Sequence, residues 1–298
     1  MKFIFQYPEV NGPDGDLLDG GPVAEVAAAA EEAGWYGLAF TEHPVPGARW
    51  LAGGGHQTID PFVALGHAAA VTRNLRLLTY LAVAPYRNPF LLAKSAATVD
   101  KLSGGRFILG LGLGYQKSEF FALGADFTER GALLDEALEV LPMHWSGEMF
   151  SFQGRHFTAR DVMARPRPVQ QPIPIWIGGN SEKNLHRIAT KAQGWMPLTG
   201  STSMLSTTGA PDYNDPDVLA GKIEELRKLA GERGDGLDVT LAYFELDPSE
   251  PTRDAARHQA AFERLAQIGV THLAVSAHLP DSAATFDFLT KVGAAYLS

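Results

Sequence analysis

A parallel (β/α)8 barrel is the fold class that the sequence predicts, and three observations predict it. Short β-rich runs alternate with longer helical stretches eight times in succession. Helix start and stop signals (Asp-Pro, Gly, Ser-Gly-Gly) fall between the runs. The chain has 298 residues, 45% of them apolar, with no second core signal, which suits one barrel. A doubly wound open sheet has the same rhythm and stays the alternative, because alternation alone does not close a sheet.

In order, residues 3–7 (Phe-Ile-Phe-Gln-Tyr) predict the first strand. Pro22 opens an alanine-rich helix over 23–33, and Gly34 stops it. Residues 37–41 form the second strand. Asp60 and Pro61 cap a helix that runs to about Val71. Strand three covers 75–80, and helix 89–102 ends at Ser103-Gly104-Gly105. Strand four covers 107–111, and a helix follows from Thr128 to about Trp145. Residues 173–177 form strand five and 181–191 its helix. A short strand six lies at 194–197, and a long amphipathic helix at 215–233. Strand seven is 238–244 with helix 252–268, and strand eight is 271–276 with helix 281–296. Two regions break the rhythm. An insertion over about 147–172 contains a small hairpin at 150–157, and a Ser-, Thr- and Gly-rich loop spans about 199–216. Trp35, Trp145 and Trp176 are expected in the core. The chain is expected to be a single domain.

Composition removes several classes. Without cysteine there are no disulfides, thiolate metal sites, iron–sulfur clusters or cysteine nucleophile, which fits a reducing compartment. Lys+Arg 25 against Asp+Glu 34 leaves −9, a poor charge for binding nucleic acid or an anionic membrane non-specifically. No run reaches the roughly 18 apolar residues of a membrane span. The first seven residues read as a strand rather than a signal peptide. A cytoplasmic protein is therefore expected.

In a barrel the working residues follow the strand C-termini. Gly178-Gly179-Asn180-Ser181, after strand five, combines two glycines that allow close approach with a serine that caps the next helix. Such a turn suits a phosphate; a plain helix start has the same residues. Glu42-His43, after strand two, sets a carboxylate beside an imidazole suited to proton transfer; a chemically idle loop histidine is the alternative. Gly110 to Gly114 reads G-x-G-x-G on the fourth strand, which departs from a dinucleotide fingerprint in spacing and place. No metal-ligand spacing appears, so no metal is expected. No nucleophile elbow and no Walker lysine appears either.

Read together and in order, several segments resemble the luciferase-like monooxygenase superfamily of flavin- and deazaflavin-dependent oxidoreductases. They are 25–35 with Ala39-Phe40-Thr41-Glu42-His43; Ala84-Pro85-Tyr86-Arg87-Asn88-Pro89; Asp100 to Arg106; Gly110 to Tyr115 leading into Glu119-Phe120-Phe121-Ala122-Leu123-Gly124; and Pro174 to Ser181. The resemblance implies a TIM barrel. It implies that His43 is the acid/base or ring-bonding group, tuned by Glu42. It places a non-prolyl cis peptide at Tyr80-Leu81, behind a cofactor ring. Cofactor contacts are expected from Tyr80, Leu81, Gly112 and Tyr115, and phosphate contacts from Gly178, Gly179, Asn180 and Ser181. Sugar-phosphate dehydrogenases of this family carry a glutamate where this chain has Tyr115, so their activity is not carried over. Glu119, four residues on, is not an obvious replacement.

The implied function is hydride transfer between coenzyme F420 and a small organic substrate. The alternatives are an FMN-dependent monooxygenase supplied by a separate reductase, a non-catalytic flavin-binding protein and a metal-dependent hydrolase on the same barrel. A homodimer is implied, with neither nucleic-acid nor membrane partners.

Overall fold

The computed structural model describes residues 1–11, 15–200 and 211–297. Eight parallel strands make the central sheet: β1 (Lys2–Gln6), β2 (Gly37–Phe40), β3 (Arg76–Thr79), β4 (Phe107–Gly112), β5 (Ile175–Gly178), β6 (Gly194–Met196), β7 (Asp238–Tyr243) and β8 (His272–Val275). They pair in sequence order, and β8 pairs with β1. β4 also pairs with β5, with Leu109 opposite Ile175 and Leu111 opposite Ile177. The sheet is therefore closed, and the open-sheet alternative is excluded.

One helix follows each strand: α1 (Val23–Glu32), α2 (Pro61–Val71), α3 (Pro89–Leu102), α4 (Arg130–Ser146), α5 (Glu182–Lys191), α6 (Pro216–Ala230), α7 (Ala255–Gln267) and α8 (Ser282–Val292). Side-chain caps mark their starts where the sequence places Asp, Asn or Ser. Asp60 accepts from Phe62 and Val63, Asn88 from Phe90, and Ser181 from Asn184.

Strand alternation sorts the core into two layers. Outward residues such as Phe3, Phe5, Leu38 and Leu77 pack against the helices. Inward residues Ile4, Ala39, Leu78, Ile108, Trp176 and Met196 fill the barrel. Trp35, Trp145 and Trp176 are all buried, as expected.

Several boundaries differ from expectation. Strand five starts at Ile175 rather than 173. The helix expected from Thr128 starts at Arg130, after a single turn over Phe127–Glu129. The helix expected to reach 233 ends at Ala230, and the last one ends at Val292, before a wider turn over Gly293–Leu297. The hairpin pairs Phe150–Gln153 with Thr158–Val162, further along than expected. Of the loop expected at 199–216, residues 201–210 lie outside the described residues. Five short pieces were not expected: helices Ala48–Ala52 and Lys117–Ala122, strand Ala82–Val83, and the antiparallel pair Val10–Asn11 with His56–Gln57. Four of them contribute residues to the site below. Among the described residues no helix is long and apolar enough to cross a membrane.

Candidate active site

A cleft of about 1410 Å³ opens at the C-terminal ends of the strands. The inward alternation of the barrel continues into it, so Gln6, Thr41, Tyr80, Gly178, Ala242 and Ser276 form part of its lining. The Tyr80-Leu81 peptide is cis, where the resemblance placed it. Beyond it the chain resumes as Ala82–Val83, paired with the end of β4.

Leu81 explains two of the glycines. A Cβ on Gly112 would stand 2.1 Å from Leu81 Cδ1, and one on Gly178 would stand 2.3 Å from Leu81 Cδ2. The side chain of Leu81 thus occupies the space that residues of β4 and β5 would otherwise fill. These glycines make room for the cleft floor.

Glu42 anchors the chain just after that floor. Its Oε2 accepts from Val83 N–H at 2.6 Å. Its Oε1 accepts from Arg87 Nε at 2.9 Å and also contacts Arg87 Nη2, which reaches Asp60 at 2.9 Å. Burial raises its carboxyl above the usual range, opposed by the Arg87 charge and the Val83 hydrogen bond. Expected to tune His43, Glu42 directs both oxygens to Val83 and Arg87.

The carboxylate at His43 is Glu119. Its Oε2 lies 3.1 Å from His43 Nδ1 and accepts from Tyr86 O–H at 3.0 Å. Glu119 is fully buried, and it comes from the unexpected helix Lys117–Ala122. Gln116 Nε2 also lies 3.0 Å from Nδ1. On the other side of the ring, Tyr115 O–H is 3.4 Å from Nε2. The Trp50 ring stands 4.6 Å away and the His56 ring 4.9 Å away. Tyr115 borders the cleft as expected, and burial raises its phenol.

The Gly178–Ser181 turn stands on the same cleft wall. Gly179 has φ +102, a conformation that favours glycine. Ser181 Oγ caps α5 at Asn184 N–H, so the N–H groups of the first turn, at Glu182 and Lys183, have no helical partner. These donors and the helix dipole suit a phosphate. The Asn180 side chain is committed elsewhere. It donates to the carbonyls of Leu198 and Pro211 and accepts from Leu198 N–H, clamping the segment after β6. Its backbone carbonyl accepts from Tyr213 O–H at 3.5 Å, which leaves its backbone N–H to meet a ligand.

Glu9 was missed by the sequence reading. It follows β1, lines the cleft, and its Oε1 accepts from Gln6 at 2.8 Å and from Thr41 at 2.6 Å. Its Oε2 lies 3.3 Å from His56 Nε2. Burial is the main cause that lifts its carboxyl to about 7, against the lowering effects of Thr41, His43 and Gln6. Burial, and then the neighbouring His43, drive His56 down to about 3. The end of strand one is a working position like the other strand ends, and that rule was the available signal for Glu9. Trp50 and His56 carried no signal short of the folded loop. Among the described residues no three His, Asp or Glu side chains group as a metal-ion site.

Fold and site together define a closed (β/α)8 barrel whose strand C-termini open on one cleft, with a histidine–carboxylate pair and the N-terminus of α5 at its walls. The luciferase-like monooxygenase family model matches residues 1–206, and the chain belongs to that family. An uncharacterised protein of Mycobacterium tuberculosis is 34% identical over 229 residues, 76% of this chain and 72% of the relative. The FMNH2-dependent dimethylsulfone monooxygenase of Pseudomonas putida is 25% identical over 237 residues, covering 78% of this chain and 59% of that protein. Among solved structures, an F420-dependent secondary alcohol dehydrogenase in complex with an F420-acetone adduct superposes with a TM-score of 0.74. It covers 98% of this chain and 97% of that one at 17% identity, a likeness of fold.

Proposed function

We propose that the protein is a coenzyme F420-dependent oxidoreductase acting on a small organic substrate, working as a homodimer in the cytoplasm. The observation that carries this reading is one cleft holding both a buried histidine–carboxylate pair and a phosphate-type helix N-terminus. The residues fit the cofactor class: Leu81 and Tyr80 offer a floor for a planar ring, and the first turn of α5 offers unpartnered N–H donors. Bound there, the deazaflavin would exchange a hydride with the substrate at its C5 carbon. The protein then has to orient the substrate, exclude water and hold the accompanying proton. His43 suits that last task, being a titratable group at the cleft with polar partners on both ring nitrogens.

Support for F420 over FMN comes from beyond the phosphate turn. The cleft continues to Arg130, Arg155 and Lys183. That gives length and positive charge for the acidic extension that F420 carries past its phosphate and FMN lacks. Glu129, Asp135 and Glu182 line the same stretch and offset part of that charge, with Glu129 paired to Arg155 at 2.9 Å. The Pseudomonas relative favours the second reading, an FMN-dependent monooxygenase with a separate reductase.

A fluorescence titration with each cofactor tests the proposal. The expected outcome is tight F420 binding, weakened about tenfold or more by Ser181→Asp. Aspartate keeps the helix cap but sets a negative charge at the phosphate position. Tight binding of FMN alone would establish the second reading, and binding of neither would overturn both. The homodimer is checked by sedimentation, where twice the chain mass of 32.1 kDa is expected.

A further inference from the structure

The structure assigns Glu119 as the positioning residue that fixes which ring nitrogen of His43 serves the cleft, an inference that rests on the acid/base role proposed for His43. An ionised carboxylate only accepts hydrogen bonds. Two donors already point at this one: Tyr86 O–H at 3.0 Å onto Oε2 and Val45 N–H at 3.4 Å onto Oε1. Donors aimed at a carboxyl favour its charged form. In this assignment His43 Nδ1, at 3.1 Å from Oε2, carries the proton and donates it to Glu119.

Nε2 is left as the lone-pair nitrogen. It faces Tyr115 O–H, whose phenol sits at the cleft and can donate to it. The resulting chain runs Tyr86 O–H to Glu119, His43 Nδ1–H to Glu119, and Tyr115 O–H to His43 Nε2. A proton taken from a substrate hydroxyl would be held at Nε2, directly or through Tyr115. The buried carboxylate would stabilise the imidazolium that forms, as in other histidine–carboxylate pairs. This arrangement belongs to this chain's own pattern, in which position 115 is a tyrosine and the carboxylate stands at position 119, in the short helix that follows.

The competing arrangement uses Gln116. Its amide nitrogen lies 3.0 Å from Nδ1, and it would donate there if Nδ1 were bare. Gln116 Oε1 faces Gly47 N–H at 3.4 Å, which favours the amide orientation that puts its nitrogen at the ring. The two arrangements predict opposite tautomers of His43.

Histidine-selective 15N NMR on the wild-type protein separates them without cofactor or turnover. His43 is identified by the signals that vanish in His43→Gln. The expected result, above the imidazole titration, is a protonated Nδ1 and a bare Nε2. A protonated Nε2 would overturn the assignment. The groups facing the ring are Glu119 and Tyr115 from the segment after β4, His56 and Trp50 from the segment after β2, and Glu9 after β1, which acts on it through its charge.

Glu119→Gln supplies the second readout. It should lower the imidazole titration of His43 and, if the proposed reaction holds, reduce kcat about 100-fold or more with unchanged cofactor affinity. Glu119→Asp should restore part of both. An unmoved His43 titration in a folded Glu119→Gln protein would overturn the positioning role. A moved titration with no turnover of any F420 substrate would instead count against the proposed function.

Discussion

Glu9 and His56 form a pair whose charges are both suppressed by burial. The two suppressions act on stability with opposite signs. Glu9 titrates at about 7 in the fold against an ordinary 4.5. The fold therefore favours its protonated form, and that contribution is complete below pH 4.5 and lost as the pH rises through 7. The shift is worth on the order of 3 kcal/mol. His56, held at about 3 against 6.5, favours its neutral form in the fold. Its contribution is present above pH 6.5 and lost as the pH falls towards 3. Glu9→Gln should remove the first dependence and leave the second. Relative to wild type, the variant should gain on the order of 2–3 kcal/mol between pH 5 and pH 8 in urea unfolding. An identical pH dependence in the two proteins would show that Glu9 keeps an ordinary carboxyl. At this scale His43 and the Gly178–Ser181 turn were legible as candidates, because each follows a strand end in a recognisable local pattern. The partner of His43 was not legible. Glu119 is 76 residues from His43 in the chain, and the contact exists only once β2 and β4 stand two places apart in the same barrel.

Elements obeyed local rules where they were long and failed them where they were short. Among the described residues, eight helices of ten or more residues carry caps, proline starts or amphipathic spacing, and each lies close to its expected place. The insertion hairpin runs on to Val162, past its expected end at 157, and Glu136 on α4 holds its turn. That carboxylate accepts from the backbone N–H groups of His156 and Phe157 at the turn. Helix α4 itself runs through Pro142 to Ser146. Its buried face, which includes Leu134, Leu138, Leu141 and Trp145, holds it against the rest of the core despite one missing backbone donor. The glycine pattern of β4 also finds its reason here. A Cβ on Gly110 would fall 1.9 Å from the Thr79 carbonyl oxygen, so β3 and β4 approach too closely there for any side chain. Gly110→Ala should destabilise the protein by about 3 kcal/mol, the range of overpacking against an atom that cannot swing away. Thermal unfolding checks this, and a melting temperature within a degree of wild type would contradict the close approach. An alanine at an exposed, unobstructed glycine such as Gly221 is the control.

At the scale of the whole molecule, closure makes the site. Pairing β4 with β5 brings the Gly178–Ser181 turn to the same opening as His43 and Leu81, although the turn lies about 100 residues or more from each of them in sequence. The sequence alone determined the class of fold, because eight alternations of short and long periodicity admit few arrangements of buried faces. It also determined the family and the histidine and phosphate-type motifs, since these are written in consecutive residues. The tertiary structure alone decided that Glu42 serves Val83 and Arg87, that Asn180 clamps a loop, and that Glu119 meets His43. It also decided that Glu9 is buried enough to keep its proton near neutral pH. The physical reason is common to all four. A side chain's type is local, but its partners and its access to water depend on which strand ends the closed barrel brings together.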